Sequence, residues 1–182
     1  MRILYSWEIT AARQCLGDNL AYDRVRVHEG DGWPNWVNQI GRLLKGMGPA
    51  APGTNNAITL GYHCYFPVAL PVALPGWGSA DDNAVGWLIH ELTHAWQYQH
   101  TGWTYLFRAL SAQLALGPKV YDLDPPDVMV QKRALGWTLS RYNPEQQATL
   151  VAAYYYFQRS PDANQVLIAA YAPYVADLGR PV

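Results

Sequence analysis

The chain has 182 residues, which is enough for a single globular domain over residues 1–182 with a sizeable hydrophobic core. Charged residues make up only 15% of it and the formal net charge is -1, so it lacks the basic surplus that nucleic-acid or anionic-membrane binding requires. The longest apolar run, residues 64–77, contains three prolines and is shorter than the roughly 20 residues of a membrane-spanning helix, so no transmembrane segment is predicted.

The first part of the chain predicts short helices and strands. Its N-terminus lacks the apolar core and cleavage site of a secretory signal, so we expect synthesis in the cytoplasm and any export through a specialised secretion system. Apolar spacing predicts a helix over residues 8–16, and alternation predicts a strand over residues 22–28. A helix over residues 33–44 and a loop over residues 46–56 follow. Residues 57–66 are rich in β-formers and predict a strand in which Gly61 marks a bulge or turn.

The second part of the chain is dominated by helical patterns. The proline-rich segment 67–75 predicts an extended connector, and Ser79 and Asp82 are spaced like a variant of the capping box ahead of the next helix. The predicted helices cover residues 81–99, 103–116, 128–139, 144–157 and 161–171, with Asn143 and Ser160 as the start signals of the last two. The sequence therefore predicts an α+β fold, helix-dominated, with a small sheet. Two cysteines, Cys15 and Cys64, do not make a disulfide scaffold, and we expect free thiols.

The motif that carries chemistry is HELTH, an H-E-x-x-H pattern within the strongest predicted helix. Residues four apart on a helix lie about 40° apart around its axis, so His90 and His94 can point at one metal ion. Glu91 lies about 100° away, where its carboxylate can reach a metal-activated water without binding the metal. The pattern predicts a zinc site with Glu91 as the catalytic base.

A catalytic zinc site needs a third protein ligand, and the sequence offers three candidates. His100 follows His94 by six residues. A glycine that ends the helix is needed at position 97 for His100 to turn back toward the metal, and this chain has Gln97 there. The cluster Asp122, Asp124 and Asp127 lies among prolines that favour turn and cap roles. Glu145 is preferred. It lies in the first turn of a predicted helix, small Ala148 lets that helix approach closely, and few other acids remain, since the chain has only four Glu: Glu8, Glu29, Glu91 and Glu145.

Four segments together resemble one known group of domains: HELTHAWQYQ, the upstream GDNLAYDRVRVHEGDGW, the strand AITLGYHCYF and the downstream NPEQQATLVAAYY. They look like the zincin-like metallopeptidase domains attached to bacterial Rhs, VgrG and contractile-injection-system proteins. The resemblance implies a zincin-like fold with a small sheet beside the active-site helix. It also implies a zinc-dependent peptidase deployed as a toxin or delivered effector, with His90, His94 and Glu145 as zinc ligands and Glu91 as base.

The expected reaction is hydrolysis of a peptide bond, and the expected partners are a peptide or protein substrate and an inhibitor or immunity protein. If the strand over residues 57–66 is a sheet edge facing the cleft, it can bind an extended substrate by β-augmentation. Tyr62, His63 or Tyr65 then become candidate oxyanion donors. Two other functions stay open: a catalytically inactive zincin-fold interaction module, and a zinc hydrolase of a cell-wall amide.

Overall fold

The computed structural model describes residues 1–30, 56–79, 81–160, 162 and 164–179. The predicted helix over residues 33–44 and all but the last residue of the predicted loop 46–56 lie outside these ranges. The elements are helices α1 (Ser6–Leu16), α2 (Asp82–Thr101), α3 (Thr104–Leu116), α4 (Pro126–Ala134), α5 (Pro144–Arg159) and α6 (Gln165–Val175), and strands β1 (Arg26–Glu29), β2 (Ile58–Leu60) and β3 (His63–Phe66). This confirms the predicted helix-dominated α+β fold.

The small sheet has the strand order β1-β3-β2, with β1 parallel to β3 and β2 antiparallel to it. Gly61 adopts a φ of 65° at the turn between β2 and β3, so the predicted single strand is a hairpin. Val27, Cys64 and Thr59 occupy one row across the three strands and are buried. Because side chains alternate along a strand, this row forms the inner face of the sheet.

Helix α2 lies at the centre of the molecule. Its predicted apolar positions are all buried: Val85, Leu88, Ile89, Leu92, Ala95 and Trp96. Several polar residues of the same helix are buried as well, including Glu91, His94 and Gln97, because α1, α3, α5 and the sheet pack around it. A helix enclosed on so many sides places its polar side chains inside the protein, where each requires a partner.

The bounds of three elements, β1, α4 and α6, differ clearly from the sequence prediction. Tyr22–Arg24 forms a 3-10 turn, so β1 begins only at Arg26. Helix α4 begins at Pro126 and ends at Ala134 rather than running over residues 128–139, because Gly136 takes a φ of 84° and the Trp137 N–H returns to the Lys132 carbonyl at 3.0 Å. Helix α6 begins at Gln165, where the side chain of Asn164 caps it, and ends at Val175.

The connector follows the prediction, whereas the start of α2 lacks the predicted capping box. Residues 67–75 contain no helix or strand. Asp82 is the first residue of α2, and its carboxylate accepts the Gly78 N–H at 3.1 Å and pairs with Arg159 at 2.6 Å instead of forming a capping box with Ser79. Among the described residues, no helix is long and apolar enough to cross a membrane.

Two of the four glutamates bind a single arginine. The Arg2 guanidinium donates to both oxygens of fully buried Glu8, at 2.7 and 2.8 Å, and to both oxygens of Glu29 at 3.0 and 3.1 Å. Burial works against the charge of Arg2, but the two carboxylates outweigh it and raise the pKa of Arg2 above its usual range. Glu8 and Glu29 therefore join α1 to β1 and are structural residues, which removes them as metal ligands.

The cap at the start of α5 gives a stability prediction. The Asn143 side chain accepts the Gln146 N–H at 2.9 Å and also donates to the Val120 carbonyl at 3.1 Å. Among the described residues, the exposed Asn164 side chain at the start of α6 makes only the cap. We expect Asn143→Ala to lower the free energy of unfolding by about 1–2 kcal/mol and Asn164→Ala by about 0.5–1 kcal/mol. Urea denaturation measures both, and equal losses would contradict the additional role of Asn143.

Candidate metal centre

Helix α2 presents His90 and His94 one turn apart on the same side. Their Nε2 atoms lie 3.2 Å from each other, and the two rings are tilted by 79°. The His94 side chain is buried and that of His90 is 16% exposed, so the pair has access to solvent on the His90 side. Two imidazole nitrogens at this spacing can act as ligands of one ion.

Helix α5 brings Glu145 against the histidine pair. Its Oε2 lies 3.3 Å from the Nε2 atoms of both His90 and His94. Ala148, one turn further along α5, is fully buried and leaves room for α5 to pack closely on α2. In the part of the chain that the structure describes, these three residues are the one group of at least three potential ligands within 4.8 Å of one another.

The spacing of the three ligand atoms fits zinc. Atoms bound at about 2.0–2.1 Å in a tetrahedral zinc site lie about 3.3 Å from one another. The observed separations are 3.2, 3.3 and 3.3 Å, so the atoms form one face of such a tetrahedron. Two histidines and one carboxylate are one of the three-ligand sets that can hold a catalytic zinc ion.

A second layer of hydrogen bonds holds His94 in place. Its Nδ1 lies 2.8 Å from the Gln97 Oε1, which requires Nδ1 to carry a proton and leaves Nε2 as the nitrogen that can bind a metal once its own proton is displaced. The Gln97 amide nitrogen donates to the Pro144 carbonyl and to the Gln147 Oε1, both at 2.9 Å. This buried chain of amides therefore fixes the tautomer of His94 and ties it to the start of α5, next to Glu145.

The other oxygen of Glu145 has its own partner from α3. The Gln113 amide nitrogen donates to Glu145 Oε1 at 3.2 Å and to the Tyr121 hydroxyl at 3.3 Å. The Tyr121 ring lies 6.3 Å from the ring of His90, and burial raises the pKa of Tyr121 to about 12, so its phenol is neutral at ordinary pH. One carboxylate oxygen is thereby oriented by protein, and the other is left to the histidines.

The electrostatics of the group favour a cation. Burial by itself would lower the pKa of His94, but the Glu145 carboxylate outweighs burial and raises that pKa to about 9. Burial likewise opposes the charge of Glu145, while the adjacent imidazoles hold the pKa of its carboxyl well below the usual range. The site therefore keeps a carboxylate ionised in a buried setting and compensates it with positive charge, which a divalent ion can also supply.

Glu91 follows His90 on α2, and its side chain faces the sheet. Its carboxylate Oε2 accepts the Thr59 hydroxyl of β2 at 2.7 Å, and the residue is 4% exposed. Within the described residues, its Oε1 has no hydrogen-bond partner. Glu91 thus neighbours His90 in the chain but is not one of the three potential ligands. A general base, unlike a ligand, must stay unbound by the metal.

The structure does not bring the other ligand candidates to this centre. α2 continues unbroken to Thr101, so His100 is exposed, and its Nδ1 lies 2.8 Å from the Trp96 carbonyl. Asp124 pairs with Lys132 at 2.6 Å and accepts the Tyr142 hydroxyl. Asp122 and Asp127 are exposed.

The predicted oxyanion donors of the hairpin also lie elsewhere. Tyr62 packs edge-on against Tyr98 and under the Arg24 guanidinium. On the outer face of the sheet the Tyr65 ring stacks on His28, and the His63 ring is tilted by 39° against that of His28. The inner face instead directs Thr59 and Cys64 at Glu91.

β2 is an edge strand of the described sheet, but the Tyr105 hydroxyl already donates to the Thr59 carbonyl. Peptide pairing through that carbonyl requires Tyr105 to move.

Sequence reasoning missed four residues of the site: Thr59, Gln97, Gln113 and Tyr121. Gln97 could have been found, since it lies three residues after His94 on the same helix and therefore on the same side. The others come from separate elements, and no local pattern marks them.

Comparison with curated proteins finds similarity to the type VI secretion system spike protein VgrG2b of Pseudomonas aeruginosa, with 30% identity over 157 residues. The aligned segment is 85% of this chain but only 13% of the relative, so the chain spans a small part of that protein's length. No family model matches the chain, and no solved structure matches it significantly.

Proposed function

We propose that this protein is a zinc-dependent metallopeptidase. The observation that carries the proposal is the set of ligand separations of 3.2, 3.3 and 3.3 Å between His90, His94 and Glu145, which fits a tetrahedral zinc face. The carboxylate of Glu91, one residue along the same helix, supplies the base that hydrolysis of an amide needs.

Each residue of the site has a distinct role in the proposed reaction. Zinc held by His90, His94 and Glu145 would polarise the scissile carbonyl and make water more acidic. Glu91 takes a proton from the attacking water as the C–O bond forms, and it then returns that proton to the amine as the C–N bond breaks. Gln97 and Gln113 take no part in proton transfer and keep the ligands oriented.

The similarity to VgrG2b supports a link between the proposed peptidase and a bacterial secretion system. The printed name of that relative describes a spike protein of a type VI secretion system. We therefore propose that the chain acts as a delivered effector or toxin, exported by such a system after synthesis in the cytoplasm. A peptidase of this kind requires a protein substrate in the recipient and an inhibitor or immunity protein in the producer.

Metal removal tests the proposal directly. The purified chain should contain about one zinc per molecule and hydrolyse a panel of unfolded protein substrates. Dialysis against a chelator should abolish hydrolysis, and stoichiometric zinc should restore it, while circular dichroism checks that the helices persist. A chain that binds no zinc tightly would indicate an inactive interaction module. A zinc-loaded chain that opens peptidoglycan amides but no protein substrate would indicate a cell-wall hydrolase.

A further inference from the structure

The carboxylate of Glu91 is bound by one side chain from the neighbouring sheet. The Thr59 hydroxyl lies 2.7 Å from Glu91 Oε2 and 3.2 Å from the Glu91 carbonyl. Both residues are buried, at 2% and 4% exposure. A hydroxyl has one proton to donate, and the shorter contact, to a charged acceptor, is the stronger of the two.

The backbone of Thr59 is itself held by two neighbouring elements, β3 and α3. It is the central residue of β2, where it pairs with Cys64 of β3. Its carbonyl accepts the Tyr105 hydroxyl of α3, and the Cys64 thiol lies 3.9 Å from the same Glu91 carbonyl. The hairpin and α3 therefore fix the backbone of Thr59, and a donor on rigid elements can orient a catalytic group.

We propose that Thr59 is a positioning residue for the general base Glu91, an inference that rests on the proposed peptidase function. The Thr59 hydroxyl holds Oε2, so the carboxylate keeps one orientation and Oε1 stays available to the proton of the attacking water. Thr59 retains its own proton throughout. Without the hydroxyl, the carboxylate is free to rotate, and productive geometry is reached in a smaller fraction of enzyme molecules.

A purely structural role for Thr59, as a tie between β2 and α2, makes different predictions. Thr93 provides the matched control because it is a fully buried threonine of α2 whose hydroxyl donates to the Ile89 carbonyl at 2.8 Å. Thr59→Val and Thr93→Val each remove one buried hydroxyl and keep the side-chain shape. We expect both variants to remain folded and to melt at a lower temperature, with the larger decrease in Thr59→Val because it leaves a buried carboxylate oxygen without its donor.

Kinetics on the zinc-loaded full chain separate the two roles. We expect Thr59→Val to lower kcat about 10- to 100-fold with KM and zinc content unchanged, Thr59→Ser to restore most of kcat, and Thr93→Val to keep wild-type kcat. Equal kcat in the two valine variants would overturn the proposal, as would a Thr59→Ser variant no more active than Thr59→Val.

A crystal structure of each variant gives a readout that does not depend on activity. In Thr59→Val the Glu91 side chain should occupy more than one rotamer, whereas Thr93→Val and Thr59→Ser should keep the wild-type rotamer. A single unchanged Glu91 rotamer in Thr59→Val would overturn the proposal. If the wild-type chain binds zinc but cleaves no peptide, the proposed function fails, and the rotamer of Glu91 still decides whether Thr59 positions it.

Discussion

Replacing Glu91 with glutamine should abolish peptide hydrolysis almost completely and leave zinc bound. Glutamine has nearly the same shape, and its carbonyl oxygen can still accept the Thr59 hydroxyl that lies 2.7 Å from the carboxylate. It cannot accept a proton from water at neutral pH. Loss of a general base costs about 10²- to 10⁴-fold in rate, so we expect kcat/KM to fall within that range.

The measurement for Glu91→Gln combines steady-state kinetics with metal analysis on the same sample. Asp127→Asn is the matched control, because it makes the same change from carboxylate to amide at an exposed position outside the centre. The base assignment is wrong if Glu91→Gln keeps full activity. If Glu91→Gln instead loses its zinc, then Glu91 is a ligand, in conflict with its place outside the group of ligand atoms.

Replacing Glu145 with glutamine should reduce zinc affinity by more than about 100-fold, beyond the 10- to 100-fold range of residues that only support ligands. Glu145 Oε2 is 3.3 Å from the Nε2 atoms of both His90 and His94. The change therefore replaces an ionised ligand beside the two imidazoles with a neutral one. Activity should fall in parallel at limiting zinc and recover partly at high zinc.

Competition with a chromophoric chelator measures this affinity. His100→Ala is the control, because His100 is exposed and lies beyond the two candidate histidine ligands on the same helix. We expect it to bind zinc like the wild type. A large loss in His100→Ala together with unchanged affinity in Glu145→Gln would exchange their roles and require α2 to end earlier than it does.

The fold could be predicted from sequence wherever the signal was local. The apolar spacing of α2, the Asn143 and Pro144 start of α5 and the glycine at position 61 each specify backbone geometry within a few residues. The parallel pairing of β1 with β3 joins residues more than thirty positions apart, and no short pattern encodes it. The prediction of where α4 ends was wrong for another reason. Gly136 ends the helix through a positive φ, which composition does not reveal.

The residues of the candidate site also fall into two groups, those marked by a local sequence pattern and those placed by packing. His90, Glu91 and His94 are one turn of one helix, so their spacing predicts their shared side. Glu145 could be preferred because glutamates are scarce, although Glu8 and Glu29 are excluded by their pairing with Arg2, a contact that the sequence does not indicate. Thr59 and Gln113 reach the centre from β2 and α3, and only the packing of those elements places them there.

The two cysteines have a consequence for a protein proposed to pass between compartments. Cys15 and Cys64 are buried free thiols, and burial raises the pKa of each to about 12. The thiolate form of both cysteines is therefore scarce at neutral pH. Thiolate is the form that exchanges with disulfides, binds metals and oxidises readily. Both thiols should therefore react slowly with disulfides and oxidants at neutral pH, which suits a protein proposed to pass between a reducing and an oxidising compartment.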